Sequence, residues 1–386
     1  MRDHLLYSVE QVNPFRYSEP VPPHDLLDRD AEAATLLERA VGGHNSRLVA
    51  PRRYGKTSLL RRVMADARAE GWAAVYVDFF GALTAADIAE RIELAYADQL
   101  EGRLATWYRG VRRMLRPTFR AGGGPVPAGV ELAVDAQAEP PLLDRLALPR
   151  RLHERHGTRT LVVFDEFQDV LAAREGLDAT IRSEIQHHGD AASYVFAGSH
   201  VGMMRELFAD RRRAFFGQAG PVELPRLEPV DVAEYVGDRF AATNRDVGSA
   251  LDGLLDVADG HPQRTMLLAH VLWELTRPGT EATEQTWLRA FDRVMEVEAR
   301  DELRALWTGL PTGQRRVLTL VAENRVPLYG AAAARALGGS RGGAVRAAVQ
   351  GLEDRGEIVD APTVSGHRVV DPLLAAWIRG GRTGGG

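Results

Sequence analysis

The sequence predicts an α/β fold in which helices cover both faces of a parallel β-sheet. Short apolar segments alternate with helical patterns through the first half of the chain. These segments are apolar throughout, as parallel strands buried on both faces are. One runs into a Gly-Lys-Thr loop that opens a helix, and a later one ends in two adjacent acidic residues. With 386 residues, of which 45% are hydrophobic, the chain can form two or three domains.

The individual elements follow from hydrophobic periodicity. We expect strands at residues 46–50, 72–78, 160–164 and 193–197, with a very short fifth strand at 222–224. We expect helices at residues 28–40, 57–70, 142–156 and 177–188, and helical patterns fill residues 84–115. A Gly- and Pro-rich stretch at 121–141 predicts a loop or hairpin insertion. From residue 229 to residue 307 the pattern is entirely helical.

The loop after the first strand has the character of a phosphate-binding Walker A loop, because it follows a strand and opens a helix. Its backbone N–H groups and the helix N-terminus favour anions. Lys56 is the one lysine among 48 Lys plus Arg residues, and a guanidinium is too bulky for this slot. One position departs from the motif, because Ala50 stands in place of its first glycine. The alternative to a phosphate-binding loop is a plain strand-turn-helix that binds no ligand. The residues expected to bind ATP are Pro51, Arg52, Arg53, Tyr54, Gly55, Lys56, Thr57 and Ser58.

Two carboxylates follow the apolar strand at 160–164, in the arrangement of a Walker B motif. We expect Asp165 to hold Mg²⁺ together with the Thr57 hydroxyl, and Glu166 to orient or deprotonate the attacking water. Adjacent acids at a strand end are otherwise a common helix start. The Walker A loop earlier in the chain favours the catalytic interpretation and predicts hydrolysis as well as binding.

Four further sites are open between a functional and a structural role. Ser199 ends the next strand, where it can contact the γ-phosphate or the water, cap a helix, or do both. Pro262, in a Gly-His-Pro turn, can pack on adenine or simply begin a helix. Arg264 on that helix can reach the phosphates or lie on the surface. Three consecutive arginines can either supply an arginine finger to a neighbouring subunit or form a solvated basic segment. They are Arg211, Arg212 and Arg213.

Composition excludes several classes of protein. The absence of cysteine excludes disulfides and thiolate metal sites and fits a cytoplasmic location. Residues 1–14 lack the pattern of a signal peptide. No apolar run approaches the ~18 residues of a membrane helix, so we expect no membrane partner. The net charge of −5 argues against a chain that binds nucleic acid along its whole surface.

Four strings together resemble the prokaryotic "archaeal-type" P-loop ATPase family, a STAND-like branch related to AAA+ proteins. They are APRRYGKTSLLRR, DEFQ, IQHHGDAASYVFAGSHVGMMRELF and DPLLAAWIR, and the resemblance spans residues 13–379. It implies a sheet ordered 5-1-4-3-2, a helical lid, a C-terminal winged helix, Ser199 as sensor 1 and the turn at 260–262 as the lid contact to the base. The sequence departs from the family in two places: Gln218 stands where an Arg is usual, and Gln263 and Arg264 stand where the lid turn usually continues with tyrosines.

The expected domains are the ATPase core at 1–226, the lid at 227–310 and the winged helix at 311–380, followed by a disordered tail at 381–386. Three helical patterns at 312–324, 329–337 and 340–354 precede two strand-like segments, 357–360 and 367–370. Residues 311–380 carry a net charge of +3, which favours contact with double-stranded DNA. The candidate contacts are Arg341, Arg346 and Arg368. Winged helices also dock on proteins, so that alternative stays open.

The sequence therefore predicts a cytoplasmic, Mg²⁺-dependent ATPase that hydrolyses ATP to ADP and phosphate. Its nucleotide state would control the winged helix, acting on DNA. The alternative is a STAND-like signalling or defence scaffold that recruits a protein partner, and a homo-oligomer is compatible with both. A metabolic kinase is disfavoured because no segment resembles a site for an acceptor substrate.

Overall fold

The computed structural model describes residues 12–115, 140–338 and 342–381. Arg341 and most of the predicted insertion and tail lie outside these ranges. The chain divides into two compact units. The sheet unit comprises Asp30–Ala50 and Leu59–Leu224. The second unit, called here the helical unit, comprises Met1–Arg29, Pro51–Ser58 and Pro225–Gly386.

Five parallel strands form the centre of the sheet unit. They are β1 (Ser46–Val49), β2 (Ala73–Asp78), β3 (Thr160–Asp165), β4 (Ala192–Gly198) and β5 (Gly220–Glu223). Their spatial order is β2-β3-β4-β1-β5, which confirms the expected 5-1-4-3-2 order read from the other side. Asp78 pairs with Asp165, and Val49 pairs with Gly198. Because the strands are parallel, their carboxyl ends meet at one edge of the sheet, where α/β proteins bind ligands.

Helices connect the strands, as the periodicity predicts. They are α1 (Asp30–Val41), α2 (Lys56–Ala69), α3 (Ala85–Gln99), α4 (Gly102–Leu115), α5 (Pro140–Leu146), α6 (Leu148–His156), α7 (Val170–Ala173), α8 (Leu177–Ile185) and α9 (Val201–Ala209). The helical patterns expected at 84–115 form two helices, α3 and α4. Leu100 is extended, with φ −80° and ψ 139°, and separates α3 from α4. The helix expected at 142–156 is also divided, because Pro149 in the first turn of α6 has no N–H to continue α5.

An aromatic cluster holds the segment that follows β3. The Phe167 ring is fully buried, with its centroid 4.7 Å from that of Phe196 and 5.1 Å from that of Phe215. Fully burying a phenylalanine side chain stabilises a fold by about 1.5–3 kcal/mol. Phe167 therefore anchors the backbone immediately after the two acids at the end of β3.

The helical unit contains nine α-helices that lie wholly within its described residues, and a two-stranded antiparallel hairpin. The helices are α10 (Pro229–Ala242), α11 (Ala250–Ala258), α12 (Pro262–Leu275), α13 (Glu284–Arg293), α14 (Arg300–Gly309), α15 (Thr312–Glu323), α16 (Ala331–Ala336), α17 (Gly342–Asp354) and α18 (Pro372–Arg379). The hairpin consists of β6 (Ile358–Asp360) and β7 (His367–Val369). This order of helices followed by two strands confirms the expected secondary structure.

A continuous apolar core joins these helices to the C-terminal segment. Leu303, Leu373 and Leu374 are fully buried, and the rings of Trp307 and Trp377 meet edge to face at 6.0 Å. Among the described helices, none has the length and apolar content needed to cross a bilayer.

Candidate active site

The loop between β1 and α2 has an unusual backbone. Arg53 has φ +68° and Gly55 has φ +82°. A positive φ is uncommon for a residue other than glycine and is often found at functional sites. A Cβ on Gly55 would meet no atom within 4 Å, so glycine is needed here for its backbone conformation. Left-handed residues of this kind can turn successive N–H groups toward an anion.

The first turn of α2 completes an environment suited to phosphate. It contains Lys56, Thr57 and Ser58 and no acidic residue. The free N–H groups and the dipole of a helix N-terminus attract phosphate. Lys56 and Ser58 are buried, whereas Arg52 and Arg53 are exposed. The Ser58 hydroxyl accepts a hydrogen bond from the Val21 N–H at 3.1 Å, which attaches the N-terminal segment to the loop.

Tyr54 packs the loop against the start of α12. Its ring lies 4.9 Å from that of His261, centroid to centroid, at 71°. Burial raises the pKa of Tyr54, although Arg226 and Arg368 oppose the rise. Burial lowers the pKa of His261 to about 3, so the imidazole is neutral at physiological pH. Its Nδ1 can then accept the Arg264 N–H at 3.3 Å and cap α12.

A network of charges extends from the loop to the C-terminal helix. The Arg53 guanidinium pairs with Glu302 of α14, which also accepts from Arg264 at 2.7 Å. Arg264 Nε donates to Asp371 Oδ1 at 3.1 Å, and Asp371 accepts the Leu373 N–H at 2.9 Å as the cap of α18. The alternative that Arg264 lies on the surface is wrong, because only 1% of the residue is exposed.

Arg264 determines the charge state of this network. Burial raises the pKa of Asp371, but the Arg264 guanidinium, His261 and the Leu373 N–H together lower it by more, so the carboxylate stays ionised. Glu357, just before β6, has no ion-pair partner of this kind among the residues that the structure describes. Burial and the charge of Asp371 raise its pKa to about 7, with Arg355 and Arg52 opposing the rise. The charge of loop residue Arg52 thus reaches the hairpin segment.

In the sheet unit, Asp165 is held at the end of β3 by two hydrogen bonds. The Tyr76 hydroxyl donates to its Oδ2 at 2.6 Å, and the Glu166 N–H donates to its Oδ1 at 2.9 Å. Asp78 lies beside Asp165 in the sheet, and its pKa is raised. Burial and the negative charge of Asp165 raise this pKa, while a hydrogen bond from the Phe80 N–H opposes the rise. A carboxylate fixed in this way is suited to a divalent cation. Sequence patterns did not identify Tyr76, which lies within an ordinary apolar strand.

Glu166 is positioned by its neighbours and by its backbone. It has φ +48°, and its Oε2 accepts from Ser199 Oγ at 2.8 Å and from Ser199 N at 3.2 Å. The Gln168 amide donates to the same oxygen at 2.5 Å. The alternative that Ser199 caps α9 is wrong, because His200 is the N-cap and accepts the Met203 N–H.

Gln168 is a site residue that the sequence analysis missed, although it ends the DEFQ string. The side chain is 4% exposed. A Cβ added to Gly198 would lie 2.4 Å from its Oε1, so only glycine at the end of β4 leaves room for the amide. The signal available in the sequence was its position two residues after Glu166, within the DEFQ string.

The three candidate finger arginines follow α9. Arg212 donates to Asp210 at 2.7 Å, and Arg213 pairs with Glu206, while Arg211 is exposed. Gln218, which replaces an arginine of the resembling family, accepts from Arg182 at 2.6 Å.

The candidate DNA contacts are separated in the helical unit. Arg346 is exposed on α17. Arg368 lies on β7 with its Nη1 3.9 Å from an oxygen of Asp259, and Arg341 lies outside the described residues. Pro262, the candidate adenine contact, is in the first turn of α12, which confirms that it begins a helix.

Comparison with known proteins identifies the fold. No protein-family model and no curated protein matches the chain. Among solved structures, a Walker-type ATPase of Pyrococcus abyssi matches with a TM-score of 0.69 at 19% identity, over 95% of this chain and 99% of that one. The ORC2 protein of Aeropyrum pernix, as its ADPNP–ADP complexes, matches with a TM-score of 0.56 at 18% identity, over 95% and 98%. The ADP form of the same protein matches with a TM-score of 0.51 at 19% identity, over 96% of this chain and 98% of that one. The chain therefore has the P-loop AAA+ fold.

Proposed function

We propose that this protein is a Mg²⁺-dependent ATPase whose nucleotide state controls its C-terminal helices and hairpin. One observation carries the proposal: the phosphate-binding loop contacts residues from the C-terminal half of the chain. Arg53 pairs with Glu302 of α14, and Tyr54 packs on His261 at the start of α12. A ligand that binds this loop therefore acts directly on contacts of the helical unit.

The loop residues suit an adenosine triphosphate. The N–H groups of α2 and the Lys56 ammonium would bind the phosphates, and the Thr57 hydroxyl would bind Mg²⁺ together with Asp165. The loop continues from β1, and β1 and β3 end at the same edge of the sheet. The ORC2 structures, solved with ADPNP and ADP, support an adenine nucleotide as the ligand.

Hydrolysis would depend on Glu166 as the group that orients or deprotonates water. Ser199 and Gln168 hold its Oε2, which leaves the carboxylate preorganised for this role. Bound Mg²⁺ would neutralise charge on the phosphates as the bond to the leaving group breaks. Glu166→Gln should still bind ATP but should not turn it over, and undiminished hydrolysis would exclude this role.

Coupling would arise from competition for Arg53. The γ-phosphate offers the guanidinium a second anionic partner, so ATP would weaken its pairing with Glu302. A ligand shifts a conformational equilibrium only through such differential contacts. Loss of the phosphate on hydrolysis would restore the pairing, which gives the helical unit two states.

For the output we propose contact with double-stranded DNA. Helices α15, α16 and α17 followed by the hairpin have the order of a winged helix, and Arg346 is exposed on the third of these helices. The positive charge of residues 311–380 supports a phosphate backbone as the partner. The alternative, a scaffold for a protein partner, is favoured by Arg368, which faces Asp259 of its own chain. We further propose a cytoplasmic location, and a homo-oligomer if Arg211, Arg212 or Arg213 acts as a finger.

The test is the ATPase rate of the purified protein with and without duplex DNA, at two salt concentrations. Lys56→Ala should abolish ATP binding and turnover, whereas Arg103→Ala, an exposed arginine on α4, should leave both unchanged. Retained micromolar ATP affinity in the Lys56 variant would exclude the site. A DNA-stimulated rate that declines with salt supports DNA contact. An unchanged rate favours a protein partner.

A further inference from the structure

Three metal-ligating side chains meet where the hairpin packs on α17. Glu353 lies in the last turn of α17, Asp360 ends β6 and His367 begins β7. His367 Nε2 lies 3.3 Å from Glu353 Oε1 and 3.4 Å from Asp360 Oδ1. One ligand atom from each of the three side chains lies within 4.8 Å of the other two.

These distances fit a shared cation better than a pair of strong hydrogen bonds. A charge-assisted N–H···O bond is about 2.7–2.9 Å long, shorter than both observed distances. Ligands about 2.0–2.1 Å from a tetrahedral metal ion are separated by about 3.3–3.4 Å, the edge of the tetrahedron. The Nε2–oxygen distances therefore match two edges of such a coordination sphere.

Burial and charge support the same conclusion. The His367 side chain is 10% exposed and directs Nε2 between the two carboxylates. Within the described part of the chain, neither Glu353 nor Asp360 forms an ion pair with any residue other than His367. With a neutral imidazole the cluster carries two negative charges, and the Glu353 side chain is only 19% exposed. A divalent ion would offset the unfavourable burial of this charge.

We propose that Glu353, Asp360 and His367 form a structural site for a divalent transition-metal ion of the Zn²⁺ class. One imidazole and two carboxylates suit such an ion better than Ca²⁺ or Mg²⁺, which prefer oxygen ligands alone. Asp360 is 91% exposed, so the ion can enter from solvent and retain a water as its fourth ligand.

The ion would join α17 to both strands of the hairpin. Such a link holds the hairpin in one position relative to the helix that carries Arg346. Because the ligands assemble only in the folded chain, metal binding would stabilise the folded state. The site contains no residue of the nucleotide loop, so the inference does not depend on ATP binding.

The test is a Co²⁺ titration of the full-length, EDTA-treated protein without nucleotide, followed by visible absorption. We expect one tightly bound equivalent with the strong absorption of tetrahedral Co²⁺, displaced by one equivalent of Zn²⁺. His367→Ala should abolish this spectrum. Asp360→Asn, at an exposed position where folding is not at risk, should weaken binding by more than about tenfold. The control is His24→Ala, which removes an exposed histidine 3.9 Å from Asp25 and should bind as the wild type does.

Thermal unfolding provides an independent measurement. Zn²⁺ should raise the Tm of the wild type and of His24→Ala, but not that of Asp360→Asn. Absence of stoichiometric binding by the wild type would overturn the proposal and leave direct contacts of His367 with the two acids. Wild-type affinity in both Asp360→Asn and His367→Ala would also overturn it, since the ion would then bind elsewhere.

Discussion

Glu302→Gln should strengthen ATP binding if, as proposed, Glu302 and the γ-phosphate compete for Arg53. The substitution keeps the size and shape of the side chain and removes the charge that Arg53 and Arg264 share. Arg264 retains Asp371 as its partner, so the buried guanidinium is not left uncompensated. The perturbation therefore acts mainly on the nucleotide loop.

The size of the expected change in ATP affinity follows from how far the Arg53 and Glu302 side chains are exposed to solvent. Two unit charges about 4 Å apart interact by about 4 kcal/mol at an effective dielectric constant of 20. The side chains of Arg53 and Glu302 are 46% and 34% exposed, so solvent screening reduces the pairing to about 0.2–1 kcal/mol. If ATP binding breaks this pairing, Glu302→Gln lowers the Kd for ATP by up to about fivefold.

Isothermal titration calorimetry with a non-hydrolysable ATP analogue measures this change directly. The matched control is Asp301→Asn, which removes a neighbouring charge of α14 that is 89% exposed and 3.5 Å from Arg300. The difference between the two variants should shrink at high salt. Equal or weaker ATP binding by folded Glu302→Gln would refute competition for Arg53, and an equal gain in Asp301→Asn would assign the effect to net charge.

Two further predictions concern the acids of each unit. Gln168→Met keeps the side-chain volume but removes a hydrogen bond to the Glu166 carboxylate, so kcat should fall about tenfold or more with the Kd for ATP unchanged. Steady-state kinetics measure this fall, with Gln186→Ala, at an exposed position, as the control. An unchanged kcat would contradict the positioning role of Gln168. Glu357 has its folded-state pKa raised to about 7, so it binds a proton more tightly in the folded state and its contribution to stability falls as pH rises from about 4.5 to 7. Relative to wild type, Glu357→Gln should therefore gain about 1–3 kcal/mol of unfolding free energy across that window and no more above it. Denaturant melts at several pH values measure this gain, and a pH-independent difference would contradict it.

Local patterns predicted the sheet and the ends of its strands. An apolar segment that ends in Asp165 and Glu166 indicates a buried strand and its edge whatever the rest of the chain does. The order of the strands came from the resemblance, because periodicity carries no information about which strands are neighbours. The helical patterns at 84–115 also left the boundary between helices open, and the extended backbone of Leu100 sets it.

The charge network of the loop was not predictable from local pattern. Arg264 and Asp371 are 107 residues apart, and Arg53 and Glu302 are 249 apart. Each residue alone resembles an ordinary surface charge in a chain with 53 acidic residues. Only the packing of α12, α14 and α18 brings them together, so the contact between loop and C-terminal half emerged from the structure.

The pairing of buried Arg264 with Asp371 limits how this protein can diverge. Losing Arg264 alone leaves the Asp371 carboxylate buried without its cation, at a cost of about 3–5 kcal/mol, which is a large part of a typical domain's stability, whereas losing Asp371 leaves the guanidinium with Glu302 as its partner. Replacing both can be nearly neutral, provided that position 371 keeps a residue able to cap α18, such as asparagine. Among descendants of a common ancestor the two positions should therefore change in concert, and intermediates that have lost only Arg264 should be rare.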